Sequence, residues 1–262
     1  MAAPKVLVLR APGINCEREC YHAFEIAGGA PEWVHVKKLV AKPELLDQFQ
    51  ILMVPGGFAY GDDIAAGRVL ANQIRRKMGD QLLAFIDRGG LALGICNGFQ
   101  VLVKLGLLPR LGRGSLEQQV TVTHNLSNHY ECRWVTLRSP ANRCTFLDEG
   151  ITVRYPAAHA EGYIITRDEE QHRVLHEEGF VAFSYVDRNG DPTTEYPTNP
   201  NGSPGGIAGM TDVTGRVLGL MPHPDRAYLR HNMPGWTRDG LNEHGDGMAI
   251  FQKMVEVARA EG

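Results

Sequence analysis

Cysteine is scarce in this chain, and nothing in its spacing pairs it. The five cysteines (Cys16, Cys20, Cys96, Cys132 and Cys144) are an odd number among 262 residues, and no two stand in a C-x-x-C spacing. That argues against a disulfide framework or a zinc site, and a reducing cytoplasm is the expected compartment. Neither sign of charge is in excess: 27 basic and 30 acidic side chains leave a formal net charge of -3, no footprint for binding a nucleic-acid backbone. Long apolar runs are missing too. The uncharged stretch from Gly89 to Val103 is too short for a bilayer and carries Asn97 and Gln100. The apolar core Val6–Leu9 behind Lys5 is strand-sized and too small for a signal peptide. No G-K-[ST] phosphate loop occurs anywhere, so nucleotide hydrolysis is not expected of this chain, and no internal repeat is visible.

What is present is ordinary globular material, 43% hydrophobic and 22% charged, long enough to remove roughly three-quarters of its unfolded surface from water. The first hundred residues alternate strand and helix patterns. Lys5–Leu9, Glu32–Val36, Ile51–Val54 and Leu91–Ile95 read as strands, with helices over Cys16–Ala27 (Asn15 as N-cap), within Ile64–Arg88, and over Asn97–Leu105. Such alternation implies an α/β fold, a mostly parallel sheet flanked by helices. Beyond Gly112 the texture changes. Gln119–Val122, Tyr130–Leu137, Ile151–Tyr155, Gly162–Thr166 and Val181–Asp187 are short β-forming runs between turns, which suggests an antiparallel or mixed extension of the sheet. From Asp187 to Gly206 almost every residue is Gly, Pro, Asn, Asp, Ser or Thr, read as a surface loop. One strand (Arg216–Leu220) and one helix (about His244 to Ala260) follow, too little for a second core. A single domain over residues 1–262 is therefore expected, with the last strand returning to the main sheet.

The stretch Leu91-Ala-Leu-Gly94-Ile-Cys96-Asn97-Gly98-Phe-Gln100 carries the chemistry. A buried strand ends at Ile95, a helix begins at once, and Cys96 sits on the turn between Gly94 and Gly98, the G-x-C-x-G form of a nucleophile elbow. The turn is too tight for side chains at those two positions. The helix N-terminus favours thiolate over thiol, and the Asn97 N–H is placed to hold an oxyanion. The plain alternative is a buried structural cysteine, the reading preferred for Cys16, Cys20, Cys132 and Cys144. A thiol nucleophile needs a base, and His223 stands between two prolines in Met221-Pro-His223-Pro-Asp225. An extended, stiff backbone there projects His223 and Asp225 to one side, so the acid orients the imidazole; the plain alternative is a surface turn. His124, His129 and His159 are placed to line a site without metal spacing, whereas His172 and His176 lie in a charged stretch read as a solvated face. Pro55-Gly-Gly57 after the third strand is either a turn into a capped helix or the source of a second oxyanion donor, the Gly57 N–H.

These residues closely resemble the class I (triad) glutamine amidotransferases. Within them they resemble the glutaminase subunits of phosphoribosylformylglycinamidine synthase. The likeness runs through Ala11-Pro-Gly-Ile-Asn-Cys16, Pro55-Gly-Gly-Phe-Ala-Tyr-Gly-Asp62, the elbow, Asn125-Leu-Ser-Asn128, His159-Ala-Glu-Gly162, Asn199-Pro-Asn-Gly-Ser203 and Met221-Pro-His223. The resemblance implies a flavodoxin-like amidotransferase fold and hydrolysis of the glutamine side-chain amide. Cys96 is then the nucleophile, His223 the acid–base and Asp225 its orienting acid, with Gly57 and Asn97 as oxyanion donors and Gln100 helping to position the substrate. It further implies no cofactor in this chain, ATP and magnesium on a partner synthetase subunit that receives the ammonia, and often a small bridging third subunit. The family usually has Glu at the third triad position, so with Asp225, about 1.5 Å shorter in reach, either the backbone sits closer, a water bridges, or this acid contributes less. A cysteine hydrolase or peptidase of the same superfamily and a non-catalytic regulatory subunit are the competing readings.

Overall fold

A computed structural model describes residues 2–238 and 243–261; the two ends of the expected single unit, 1 and 262, lie outside them. In chain order the elements are β1 (Lys5–Arg10), α1 (Glu17–Ile26), β2 (Ala30–His35), α2 (Val36–Ala41), β3 (Ile51–Val54), α3 (Arg68–Asp87), β4 (Leu91–Ile95) and α4 (Asn97–Leu105). After these come β5 (Thr121–His124), β6 (Glu131–Arg138), β7 (Thr152–His159), β8 (Glu161–Ile165), α5 (Glu169–Glu177), β9 (Val181–Tyr185), β10 (Ile207–Thr211), β11 (Val217–Leu220) and α6 (Met248–Glu261).

Nine strands form one sheet in the order β2-β1-β3-β4-β11-β10-β9-β6-β7. The first five are parallel neighbours, and the rest continue antiparallel. β5 and β8 pair separately as an antiparallel ribbon. The central strands β3, β4 and β11 are buried at every residue, which is why they read as continuous apolar runs. Two helix groups cover them. α1 packs on α6 through Phe24 and Phe251, whose rings meet edge to face at 5.0 Å, and α2 and α4 pack on α3. Strand order reverses at β1 and β3, and in sheets of this kind the crevice at the carboxyl ends beside such a reversal is where ligands bind. Among the described residues no helix is long and apolar enough to cross a membrane.

The local differences from expectation have physical causes. Asn15 does not cap α1; the N-cap is Cys16, with no side-chain cap bond, and the Asn15 carboxamide accepts from the Cys16 thiol instead. β2 ends at His35 because the His35 Nδ1 accepts from the Lys37 N–H and starts α2. The span Ile64–Arg88 is one helix from Arg68, kinked at Met78. The charged stretch around His172 forms α5, capped by Asp168 onto the Gln171 N–H and buried only through Gln171 and Leu175, so its apolar face is too thin to show in sequence. β10 went unseen because Gly209 sits where a Cβ would lie 2.8 Å from the Gly219 carbonyl oxygen, a close strand contact that looks like loop composition. α6 starts at Met248, four residues later than the expected start.

Residues 187–206 form a surface loop only in their first part. Asn199, Asn201 and Ser203 are buried, and each is paid for in hydrogen bonds: Asn199 to the Thr193 and Ser203 carbonyls, Asn201 to the Tyr185 hydroxyl, Ser203 to the Gly162 carbonyl. Polar composition signals exposure only when partners are lacking.

Candidate active site

Four strand ends converge at the carboxyl edge. β4 delivers Cys96, β11 runs on to His223, β1 is followed by Pro12–Cys16 and β3 by Pro55–Ala59. Cys96 adopts φ 53° and ψ −109°, a conformation that costs energy for a side-chain-bearing residue and is held by its surroundings. Its N–H donates to the Leu220 carbonyl at 2.8 Å, tying the elbow to the neighbouring strand. A Cβ on Gly98 would lie 1.8 Å from the Val54 carbonyl oxygen, and one on Gly94 would lie 2.8 Å from that of Gly98. The glycines are thus required as expected, although Gly98 is confined by the end of β3 and not by Gly94. Cys96 as a residue is 6% exposed, and its sulfur lies 3.6 Å from the Ala158 carbonyl.

His223 and Asp225 are both buried, with the imidazole Nδ1 at 3.1 and 3.4 Å from the two carboxylate oxygens. The expected extended backbone is present at His223 itself but does not continue to Asp225. Pro224–Arg226 forms a 3₁₀ turn, and this fold-back brings the shorter aspartate into direct contact without a bridging water. Burial disfavours the imidazolium, but the Asp225 carboxylate and the charge on Cys96 outweigh it and hold His223 well above its usual range. The Nε2 atom is buried without a partner among the described residues, leaving one ring edge for a reacting group.

The Gly57 backbone has φ 143°, and a Cβ there would lie 2.6 Å from the Gly13 carbonyl oxygen. The N–H groups of Asn15 and Cys16 donate to the Gly56 carbonyl at 3.2 and 3.3 Å, and a trans peptide turns the Gly57 N–H the opposite way. Asn97 opens α4, where backbone N–H groups lack helical partners. Its side chain accepts from the Ala59 N–H and donates to Asp62 and Gln100, each at 2.9 Å. Gln100 also donates to the Glu161 carbonyl at 2.5 Å, so its amide ties α4 to β8 and keeps one N–H and one lone pair for a ligand.

Sequence reasoning missed Cys16 with Arg226 and Tyr130 in this cluster, whereas His159 was among the histidines expected to line a site. Cys16, read as a bystander, is buried with its sulfur 3.1 Å from the Arg226 Nη2. Tyr130 is half-exposed, and after burial the charge on Cys96 is what pushes its hydroxyl up. His159 is buried and bonded through Nδ1 to Asn125, whereas His124 and His129 are exposed. Burial and the neighbouring His223 press His159 down to about 3. His172 and His176 are half-buried and not on a fully solvated face; their rings meet tilted by 50° at 4.7 Å, with both Nε2 atoms buried. Cys16, His223 and Asp225 offer donor atoms within 4.8 Å of one another, which resembles a metal set. The carboxylate, however, is spent on Nδ1 and a guanidinium occupies the sulfur, so the group reads as a hydrogen-bonded cluster. An open hollow of about 300 Å³ lined by Arg138, Ser139 and Pro192 shares no residue with it.

Residues 3–257 match the family model of the CobB/CobQ-like glutamine amidotransferase domain. The phosphoribosylformylglycinamidine synthase subunit PurQ of Dehalococcoides mccartyi is 46% identical over 99% of each chain, and that of Methanococcus maripaludis 46% over 97% of each. The chain belongs to the PurQ family of glutamine amidotransferases. A chain of the PurLQS structure from Thermotoga maritima superposes with a TM-score of 0.71 at 31% identity, covering 97% of this chain and 98% of that one. The PurQ fold thus accounts for the parallel half and the antiparallel extension alike, and the elbow, the His–Asp pair and the glycine loops occupy one edge of it.

Proposed function

We propose that this chain hydrolyses the side-chain amide of glutamine and passes the ammonia to a synthetase that amidates formylglycinamide ribonucleotide. The observation that carries the reading is Cys96 on its strained elbow beside an imidazole held charged by Asp225. The sulfur attacks the amide carbon, and the oxyanion is taken by the N–H groups of Asn97 and Gly57. As the C–N bond breaks, His223 gives its proton to the leaving nitrogen and ammonia departs. His223 then takes a proton from water, which attacks the thioester and releases glutamate, restoring the thiolate beside the imidazolium from which the cycle began. Gln100 completes the wall of the glutamine pocket. No step uses a nucleotide; ATP and magnesium belong to the synthetase partner, a small third subunit bridges the two, and the assembly works in the cytoplasm. The complex of PurL, PurQ and PurS type found for the Thermotoga maritima relative supports this division of labour.

An electrophilic glutamine analogue tests the assignment. With the partner subunits present it labels Cys96 alone among the five cysteines, as read by peptide mass mapping. Labelling of another cysteine, or of none, overturns it.

A further inference from the structure

The reading of His223 as the acid–base leaves one buried nucleophilic group beside it unused. Cys16 is 1% exposed, stands at the N-cap of α1 and makes no cap bond. Its thiol faces Asn15 Oδ1 at 3.3 Å and receives the Arg226 Nη2 at 3.1 Å. A Cβ on Gly56 would lie 3.0 Å from His223 Cε1 and 3.4 Å from the Cys16 sulfur, so imidazole and sulfur share one wall. That wall is fixed, because the Cys16 and Asn15 N–H groups both hold the Gly56 carbonyl, and the Tyr60 and Phe58 N–H groups hold the carbonyls of Pro12 and Gly13.

Arg226 follows Asp225 directly and is half-buried. A guanidinium in that position has a stronger acceptor at hand than a sulfur: the carboxylate of Asp225, which it could grip in the bidentate manner that arginine favours. In the structure that carboxylate is on His223 instead. We propose that Cys16 is a positioning residue, whose sulfur anchors the Arg226 guanidinium away from Asp225 and so reserves the carboxylate for His223. The proposal rests on the reading of His223 given above. Truncating Cys16 leaves Arg226 without its buried acceptor, and the guanidinium then competes with the imidazole for Asp225.

The test uses the reconstituted complex, with glutaminase kinetics for Cys16→Ala, Cys16→Ser, Arg226→Gln and the Ala/Gln double variant. Cys16→Ala lowers kcat by about tenfold with KM little changed, and moves the pH-rate limb of the imidazole to lower pH. Cys16→Ser keeps a short acceptor and restores most of the rate. The double variant is faster than Cys16→Ala alone, because the competing cation is gone. Wild-type kcat and pH profile in Cys16→Ala overturn the proposal, as does a serine variant no better than alanine or a second substitution that adds to the loss. Cys96→Ser is run in parallel. If it retains glutaminase turnover, the reading of the whole site fails and the proposal with it; if it is inactive, the other arms judge Cys16 alone.

Discussion

At the scale of the residue, one methylene decides how the triad is built. Asp225 reaches His223 only because Pro224–Arg226 turns helically. Asp225→Asn keeps the shape but removes the charge that holds the imidazolium, so kcat for glutamine hydrolysis falls by about a hundredfold or more; ammonia-dependent synthesis by the complex is unchanged. An unaltered kcat would assign the orienting role to another acid. His159 gives a stability test with a defined sign. It stays neutral in the fold down to about pH 3, whereas the unfolded chain takes up this proton from about 6.5. Stability therefore falls as pH falls through that window, by up to about 1.4 kcal/mol per unit. His223 is shifted the other way: its contribution is complete below 6.5 and is lost only as pH rises through its raised value, so it adds no slope there. Urea unfolding between about pH 6.5 and 5 shows a loss of about 2 kcal/mol that His159→Gln flattens. Equal slopes for the two proteins would refute the assignment.

Elements place those residues, and glycines set how closely the elements approach. Gly98→Ala drives a Cβ into the Val54 carbonyl and costs at least about 2 kcal/mol by chemical denaturation. Gly61→Ala, in open space at φ +69°, costs only the backbone preference of about 1 kcal/mol. Similar losses at both positions would mean that the elbow can give way. The same contrast explains what was legible in the sequence. β3 and β4 were readable to the residue because burial on every side leaves a continuous apolar run, and α4 because it starts at the glycine-framed elbow and stops at Gly106. The elbow and the Met-Pro-His-Pro run were readable because few other structures need glycine and proline in those places. Cys16 and Arg226 were not, since their partnership joins residues 210 apart in sequence and no local pattern records it. α5 and β10 were hidden by a face only two residues deep and by a glycine that looks like loop.

For the whole molecule, the sheet sets the boundary of the chemistry. The parallel half brings four loops to one carboxyl edge, and β7 of the antiparallel half, β8 of the separate ribbon and the buried Asn199–Ser203 segment lie beside that edge. On the proposed function, the cluster they enclose breaks an amide and releases ammonia, which is a useful product only if a second active site receives it. The direct test is Cys96→Ser in the complex reconstituted with the synthetase and the small third subunit, assayed with each nitrogen source. The account predicts that synthesis from glutamine is abolished while synthesis from ammonium salt persists at the wild-type rate. Loss of both activities together, or survival of the glutamine-dependent one, would contradict it.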